Sequence, residues 1–416
     1  MRTVGIIVEY NPLHYGHVYH FEQSKLAAGA EAVIAVMSGH FLQRGEPAIV
    51  NKWARAEMAL QMGVDVVIEL PVAYASQPAE WFAYGAASLL DATGVVDSLC
   101  FGSESGDLSW FETIAEQVTN ESESFQELLK NRLRSGSNFP AAYSSALSAF
   151  TRDVSENELH KPNNTLGLHY VMALRRLGSV IRPITITRQK ADYHQQDVTD
   201  HQIASATAIR RLLHEEGRLN AVKSLLPSYT FDILQREWVA GRAPIDWSLF
   251  TQPLLHRLVS SSAEQLAGFA EVTEGLEHRI KRILPQLDFT SIDIFEELLS
   301  AIKTKRYTRT KLQRMLLRIL LSHSKEELTP QRLAEGPPYI RILGFSEKGR
   351  SLLHKMKRTA RLPVVTKVTQ HRSPYLELDI RATATYALAY KKTNSTDMIR
   401  DYSQAPIYDL GGKDAK

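Results

Sequence analysis

The sequence predicts an α/β protein with a doubly wound parallel sheet at its start, then a helical region and a small mixed α/β C-terminal region. Short apolar runs alternate with helical patterns over about the first 110 residues, which is typical of strands covered on both faces by helices. A helical period of apolar residues dominates from about 220 to 335. Strand-like runs then return near the end of the chain.

The predicted sheet consists of short, nearly continuous apolar runs. The strand candidates are Val4–Tyr10, Ala32–Ser38, Val64–Leu70, Val95–Phe101 and Pro183–Arg188. Helices are predicted between the first four strands at 17–28, 52–62 and 79–92, and another at about 205–215. The first three helices end at or just before Gly29, Gly63 and Gly94, which suit a left-handed C-cap. Repeated strand–helix units with short connections predict parallel strands and right-handed crossovers.

Two further regions follow the sheet domain. Leu312, Met315, Leu316, Ile319 and Leu320 have the spacing of a buried helical face. After a linker signal at Gly336-Pro337-Pro338, strands at Ile340–Leu343 and Val364–Val368 flank a helix at Glu347–Lys357. We expect a nucleotide-binding sheet domain at 1–217 with a helical insertion at about 107–180, a helical domain at 218–335 and a small mixed region at 336–416.

Composition excludes several classes of protein. The chain has 416 residues, of which 44% are hydrophobic and 23% charged, and this argues against disorder, collagen and coiled coil. No apolar run reaches the roughly 18 residues that span a bilayer, and the N-terminus leads into a strand without a signal peptide. The single cysteine, Cys100, excludes an internal disulfide framework and a Cys-based zinc site. We therefore expect a cytoplasmic protein with no membrane partner; nothing indicates an oligomeric state.

Charge is distributed unevenly along the chain. The formal net charge is only +3, yet residues 1–100 carry ten acidic and five basic side chains. Residues 303–325 carry eight basic side chains and no acidic one, and residues 341–372 carry nine basic side chains against Glu347 alone. A polyanion responds to such local fields and not to the net charge.

The most informative segment lies directly after the first predicted strand. There a Pro-containing turn leads into a helix whose first turn is expected to carry His14, Gly16 and His17. Ligands of open α/β sheets bind at the carboxyl ends of the strands, and helix N-termini attract phosphate. The two imidazoles can donate to phosphoryl oxygens, and Gly16 lets a flat base approach the backbone. The alternative is two ordinary histidines, but the segment resembles the H-x-G-H signature of the HIGH-type nucleotidyltransferase superfamily.

A second motif lies about 190 residues later. Residues 203–210 resemble the superfamily's late I-S-S-T-x-I-R motif, with Ala206 in place of the second serine. Ser205 and Thr207 can present hydroxyl groups, and Arg210 can neutralise a triphosphate. The alternative is plain helix capping by Ser or Thr.

Three further places suggest parts of the same site. Gly102 follows a strand, Asn163 lies in a turn before a helix, and Arg188 closes a strand. The loop after the second strand carries Gln43 and Arg44 beside the expected nucleotide turn, where an acceptor substrate belongs. Each could instead be an ordinary turn or a solvated polar residue.

Together these segments are similar to the bacterial tRNA(Met) cytidine acetate ligase family. The likeness also includes the runs 5–17, 38–47, 101–104 and 161–164, and Lys305-Arg306-Tyr307-Thr308-Arg309. The resemblance implies an ATP-dependent ligase that converts acetate to acetyl-AMP. It then transfers the acetyl group to the wobble cytidine of elongator tRNA(Met), forming N4-acetylcytidine.

The resemblance also implies roles for particular residues. We expect His14 and His17 to be catalytic through phosphate stabilisation, with Gln43 or Arg44 near acetate or the acceptor. The expected ATP contacts are Ile7, Val8, Glu9, Tyr10, Asn11, Pro12, Leu13, His14, Tyr15, Gly16, His17, His20, Gly102, Asn163, Arg188, Ser205, Thr207 and Arg210. The expected tRNA contacts are Lys303, Lys305, Arg306, Arg309 and Lys311. We expect Mg²⁺ to bridge the phosphates, although no acidic cluster identifies its ligands.

Two other functions stay open at this point. A coenzyme adenylyltransferase would share the ATP site, but such enzymes are usually much shorter and have no basic helical half. An RNA-binding protein that has lost catalysis would not need His14, Gly16, His17, Thr207 and Arg210.

Overall fold

A computed structural model describes residues 1–118, 123–136, 139–151, 156–187 and 204–409. Arg188, an expected ATP contact, and Ile203, the first residue of the 203–210 motif, lie outside these ranges. Within the described ranges, no helix combines the length and the apolarity that crossing a membrane requires.

A single eight-stranded sheet forms the centre of the protein. The strands are β1 Thr3–Val8, β2 Ala32–Ser38, β3 Val66–Leu70, β4 Ser98–Ser103, β5 Arg182–Thr187, β6 Ile340–Ser346, β7 Val364–Val365 and β8 Ile407–Asp409. Their order is β5-β4-β1-β2-β3-β6-β7, and β8 pairs with β6. Strands β1 to β5 pair in parallel, which confirms the predicted doubly wound sheet.

Helices cover both faces of this sheet and fill the region between β5 and β6. Those up to β5 are α1 Tyr15–Ala28, α2 Lys52–Met62, α3 Val72–Ala75, α4 Ala79–Thr93, α5 Leu108–Val118, α6 Glu123–Arg134, α7 Phe139–Thr151, α8 Glu156–His160 and α9 Pro162–Arg176. Those between β5 and β6 are α10 Ala206–Glu216, α11 Ser228–Val239, α12 Thr251–Ser260, α13 Ala263–Ala267, α14 Leu276–Ile283, α15 Ile294–Ile302, α16 Arg309–Leu320 and α17 Pro330–Ala334. The last are α18 Glu347–Thr359, α19 Pro374–Ala387, α20 Ser395–Met398 and α21 Arg400–Ser403.

The predicted helix ends are confirmed at the start of the chain. Helices α1, α2 and α4 end at Gly29, Gly63 and Gly94, each with left-handed backbone geometry. A side chain at Gly94 would also collide with the carbonyl oxygen of Thr359 at 2.5 Å. Glycine is needed there for conformation and for space.

Some predicted strand limits are wrong. In the run Val95–Phe101, β4 begins only at Ser98. Val95 and Val96 lie in the connection after α4, where they are buried although they are not strand residues. The run Val364–Val368 forms only two strand residues and then turns into a 3₁₀ helix at Val368–Gln370. In both cases the connecting residues are apolar because they are buried, and an apolar run in a sequence resembles a buried strand.

The C-terminal region extends the same sheet. β6 pairs antiparallel with β3, so that Arg341 lies opposite Glu69 and Phe345 opposite Val66. Sequence reasoning did not predict this pairing. The boundary at residue 336 stays a prediction, since the strands that follow it complete the sheet begun by residues 3–103.

Candidate active site

The strand order reverses between β1 and β4, and the place beyond the carboxyl ends of these two strands is called the crevice below. β1 pairs with β2 through six residue pairs, whereas it pairs with β4 only through Val4–Ser98 and Gly5–Leu99. The two strands therefore separate toward their carboxyl ends. Such a switch point is the usual ligand site of a doubly wound sheet.

The turn after β1 fixes two imidazoles beside this crevice. His14 is the N-cap of α1, and its Nδ1 accepts a hydrogen bond from the Gly16 N–H at 3.0 Å. The His17 Nδ1 accepts one from the His14 N–H at 3.2 Å. Since Nδ1 is the acceptor in both rings, each neutral ring carries its proton on Nε2. Nε2 is thus the donor nitrogen that each histidine can direct toward a phosphate.

Neighbouring residues hold the two rings in place. The ring centroids of His14 and His17 are 3.9 Å apart, and Tyr10 meets the His17 ring edge-on at 5.0 Å. Tyr10 is buried and has a φ of 51°, which is unusual for a residue with a side chain. Such backbone strain is concentrated at functional sites. The predicted position of His14 is slightly wrong, because it caps the helix and does not lie in its first turn.

The second motif reaches the same turn. Arg210, on α10, donates to the Asn11 carbonyl at 2.8 Å and lies 3.5 Å from a Glu46 carboxylate oxygen. Ser205 is the N-cap of α10, and its hydroxyl accepts from the Ala208 N–H at 3.2 Å. Thr207 is exposed beside Arg210. The structure thus brings the two predicted motifs together and also gives Ser205 the capping role.

Gly102 and Asn163 lie on the other side of the crevice. Continuing the register of β1 and β4 places Gly102 level with Val8. The Glu104 carboxylate accepts from the Asn163 side-chain amide at 2.6 Å and from the Asn164 N–H at 2.8 Å. A carboxylate at the start of α9 stabilises that helix end. Sequence reasoning missed Glu104 as the link between the two predicted segments.

The loop between β2 and α2, residues 39–51, is held against both the turn and the helical region. The Gln43 N–H donates to Oε1 of Glu9 at 2.8 Å. The Trp247 indole donates to the Gly45 carbonyl at 3.0 Å, and a side chain at Gly45 would collide with the Arg314 backbone. Arg44 is exposed beside this contact. Gln43 and Arg44 therefore lie next to the β1 turn, as predicted.

Arg55 is a buried cation that sequence reasoning missed. Its guanidinium donates to the carbonyls of Glu9 at 2.7 Å, Ser38 at 3.0 Å, Val50 at 3.1 Å and Gly39. It thereby ties together the carboxyl ends of β1 and β2. Burial lowers the pKa of Arg55 to about 10, so the group stays charged at neutral pH. The available signal was an arginine inside a helix otherwise rich in alanine.

A network of buried charges connects the site to the C-terminal region. Lys52 contacts Glu69 at 2.7 Å and Asp401 at 2.9 Å, and its side chain is fully buried. Arg341 contacts the same two carboxylates at 3.3 and 2.7 Å. Two cations and two anions therefore compensate one another where β3, β6 and α21 meet.

The basic segment 303–325 is not a simple solvated face. Arg306 pairs with Glu274 and Arg309 with Glu296, both at 2.5 Å. Arg318 and Arg314 point into the protein near Glu271, and Lys311 also contacts this glutamate. Lys303 and Lys305 are exposed. The segment therefore contains cations that point into the protein, such as Arg314 and Arg318, and exposed cations at its start, such as Lys303 and Lys305.

Two further residues are among the expected ATP contacts. His20 lies on α1, half-buried, and Arg188 is outside the described residues. Among the residues that the structure describes, no group of three or more His, Cys, Asp or Glu could hold a metal ion.

The chain matches one known family over nearly its whole length. A family model described as HIGH Nucleotidyl Transferase matches residues 1–401. The chain is 41% identical over 403 residues to the tRNA(Met) cytidine acetate ligase of Acetivibrio thermocellus, which covers 94% of this chain and 96% of the relative. It is 42% identical over 397 residues to the protein of the same name from Caldanaerobacter subterraneus subsp. tengcongensis, with coverages of 94% and 96%.

A solved structure shows the same architecture. The crystal structure of Thermotoga maritima TmcAL bound with alpha-thio ATP is 36% identical in sequence and has a TM-score of 0.89. The match covers 99% of this chain and 100% of that chain. The protein therefore belongs to the HIGH nucleotidyltransferase family and, within it, to the tRNA(Met) cytidine acetate ligases.

Proposed function

We propose that this protein is an ATP-dependent ligase that activates acetate and transfers the acetyl group to a cytidine of tRNA(Met). The names of its relatives give this activity, and the Thermotoga maritima protein binds an ATP analogue. One observation carries the proposal in this chain. His14, His17 and Arg210, from two distant motifs, converge on the turn beside the β1–β4 crevice.

The first step forms acetyl-AMP. A carboxylate oxygen of acetate attacks the α-phosphorus of ATP, and pyrophosphate leaves with the electrons of the broken P–O bond. Acetate is already ionised, so this step needs no base. The Nε2–H groups of His14 and His17 and the guanidinium of Arg210 instead stabilise charge on the phosphates; losing one such donor costs about 3–4 kcal/mol of transition-state stabilisation.

The second step acetylates the tRNA. The exocyclic N4 amine of the wobble cytidine in elongator tRNA(Met) attacks the acetyl carbon, and AMP leaves. An anticodon-loop base is unpaired, so it can be turned into the site without melting a duplex. Adenylation makes this step feasible, because AMP is a far better leaving group than oxide.

The tRNA approaches, in this proposal, along the basic edge formed by Lys303, Lys305, Arg306, Arg309 and Lys311. This edge precedes and begins α16, whose backbone packs on the 39–51 loop at Gly45. Glu46 of that loop is close enough to Arg309 to affect its pKa, and it also contacts Arg210. The basic edge and the ATP turn therefore lie on either side of one loop, which suits a nucleic-acid substrate.

Mg²⁺ enters this proposal with ATP. The triphosphate and water would supply most of its ligands, as is common for Mg²⁺–nucleotide complexes. We assign it no separate chemical step.

The proposed function is tested by incubating the protein with tRNA, ATP and isotopically labelled acetate, followed by mass spectrometry of the tRNA nucleosides. Labelled N4-acetylcytidine in elongator tRNA(Met) is the expected product. Pyrophosphate exchange that requires a phosphorylated coenzyme precursor instead of acetate would indicate a coenzyme adenylyltransferase. Binding of tRNA without exchange or acetylation would indicate an inactive RNA-binding protein.

A further inference from the structure

Glu9 is among the expected ATP contacts, but its carboxylate takes part in neither chemical step described so far. Glu9 directly follows β1 and lies between the histidine turn and the 39–51 loop. Its Oε1 accepts from the Gln43 N–H at 2.8 Å and from the Ser38 hydroxyl at 3.4 Å. Within the described ranges these two donors are the hydrogen-bond partners of the Glu9 carboxylate, and the residue is half-buried. The protein thus fixes Oε1 and places no described donor on Oε2.

The backbone of Glu9 is held as firmly as its side chain. The Arg55 guanidinium binds its carbonyl at 2.7 Å and binds the neighbouring Ser38 carbonyl at 3.0 Å. Glu9 is therefore held at its backbone by α2 and at its carboxylate by the 39–51 loop. Such fixed geometry is what a group acting on a substrate requires.

Glu9 does not suit the adenylation step. Acetate and ATP are both anions, so a carboxylate near them repels them, and attack by acetate releases no proton. The second step differs, because attack by a neutral amine places a positive charge on nitrogen. A proton must then leave that nitrogen before the product is stable.

We propose that the Glu9 carboxylate is the base for acetyl transfer and accepts the proton of the cytidine N4 amine; this inference rests on the proposed function. The N4–carbon bond forms as the carbonyl π electrons move to oxygen, and Glu9 takes one N–H proton. The tetrahedral species then collapses, the bond between the acetyl carbon and the phosphate oxygen breaks, and AMP leaves. Glu9 afterwards releases the proton to water.

The charges around Glu9 are compatible with this role. Burial and the nearby Glu46 raise its pKa, while the Gln43 N–H, Arg44 and Arg55 lower it, and the balance leaves the pKa above its ordinary value. On the α9 side, Tyr170 is close enough for Glu9 to affect its pKa. A carboxylate with a raised pKa is a stronger base than one in water and is still ionised at sufficiently high pH.

The test separates the two half-reactions in the full-length protein. Acetate-dependent ATP–pyrophosphate exchange reports the first, and single-turnover acetylation of tRNA(Met) from synthetic acetyl-AMP reports the second. For E9Q we expect acetyl transfer to fall about 100-fold to 10,000-fold, the range for loss of a general base, and exchange to fall at least ten times less than transfer. The transfer rate of the wild type should rise with pH to a plateau, and that of E9Q should stay flat.

Controls make each outcome decisive. E22Q removes an exposed carboxylate on α1 and should leave both half-reactions unchanged, while E9D should recover part of the transfer lost in E9Q. Equal losses of exchange and transfer in E9Q, with the wild-type pH profile retained, would overturn the inference and assign Glu9 to the ATP site. A wild type that performs no acetate-dependent exchange would overturn the proposed function itself.

Discussion

The two histidines of the turn have a structural task and, in our proposal, a chemical one, and different ring nitrogens perform them. The Nδ1 atoms of His14 and His17 accept main-chain hydrogen bonds that cap α1. The proposal assigns the phosphate contact to Nε2–H. Helix capping and catalysis are therefore separable by substitution, because asparagine places its oxygen near the position of Nδ1 and has nothing at the position of Nε2.

We expect H17N to retain the cap and to lose catalysis. Its oxygen can accept the His14 N–H, so the free energy of unfolding should change by less than about 1 kcal/mol, the usual value of a cap. Acetate-dependent pyrophosphate exchange should fall about 100-fold to 1,000-fold, as for the loss of an oxyanion donor. Urea unfolding and exchange kinetics measure the two effects. Exchange at the wild-type rate would exclude His17 from the chemistry.

Among the helices and strands, α10 and α2 contribute most to the site from a distance. α10 brings Arg210 to the Asn11 carbonyl, and α2 places Arg55 beneath the ends of β1 and β2. α2 also carries Lys52, which holds β3 to the C-terminal region. These two helices connect the ATP turn to the rest of the fold.

R210M should weaken ATP binding while leaving the fold intact. Arg210 is partly exposed and its ion pair with Glu46 is long, at 3.5 Å, so its loss should cost little stability. Losing a charge-assisted contact with phosphate should raise the KM for ATP about tenfold or more. R211M is the matched control, because Arg211 is an exposed residue of the same helix. Similar KM values for the two variants would contradict a role of Arg210 in ATP binding.

K52M should destabilise the protein strongly. Lys52 is fully buried between Glu69 and Asp401, and removing it leaves uncompensated negative charge in the interior. Breaking such a pair costs about 3–5 kcal/mol, which urea unfolding can measure. K355M, an exposed position on α18, should change stability by less than about 0.5 kcal/mol. A K52M variant as stable as this control would show that the network contributes little.

At the scale of the whole protein, the C-terminal region is joined to the rest of the fold by a titratable carboxyl group. Asp379 of α19 accepts from the Val72 N–H at 2.7 Å and from the Tyr339 hydroxyl at 2.6 Å. Burial and the nearby Glu69 raise the pKa of Asp379 to about 7. The folded state therefore holds a proton that the unfolded chain releases at a lower pH. This contribution to stability is complete below the unfolded pKa and is lost as the pH rises through about 7.

D379N should consequently have a shallower loss of stability than the wild type between about pH 4 and 7. The asparagine is neutral throughout that range, so it removes the titration while retaining a similar shape. Unfolding by urea at a series of pH values gives the two curves, and D232N, at an exposed position of α11, is the control. Parallel curves for wild type and D379N would contradict the proton linkage.

Local sequence signals predicted the parallel strands and helices at the start of the chain well. Contacts between segments distant in sequence could not be predicted in this way. The turn at His14 and the cap at Gly63 are visible in a few consecutive residues. The helix end at Gly63 is confirmed, and His14 differs from the prediction only in being the N-cap of α1. The pairing of β3 with β6 joins segments about 270 residues apart. No local pattern specifies that partner. Arg55 was missed for a related reason, since its four acceptors become neighbours only after folding.

The central claim is that acetate displaces pyrophosphate at the α-phosphorus of ATP bound beside His14 and His17. Acetate labelled with ¹⁸O in both carboxyl oxygens tests this directly, because acetyl-AMP formation followed by attack on the acetyl carbon leaves one acetate oxygen on AMP. We predict one ¹⁸O atom in each AMP formed during tRNA acetylation. Unlabelled AMP, or ¹⁸O recovered in inorganic phosphate, would contradict the claim.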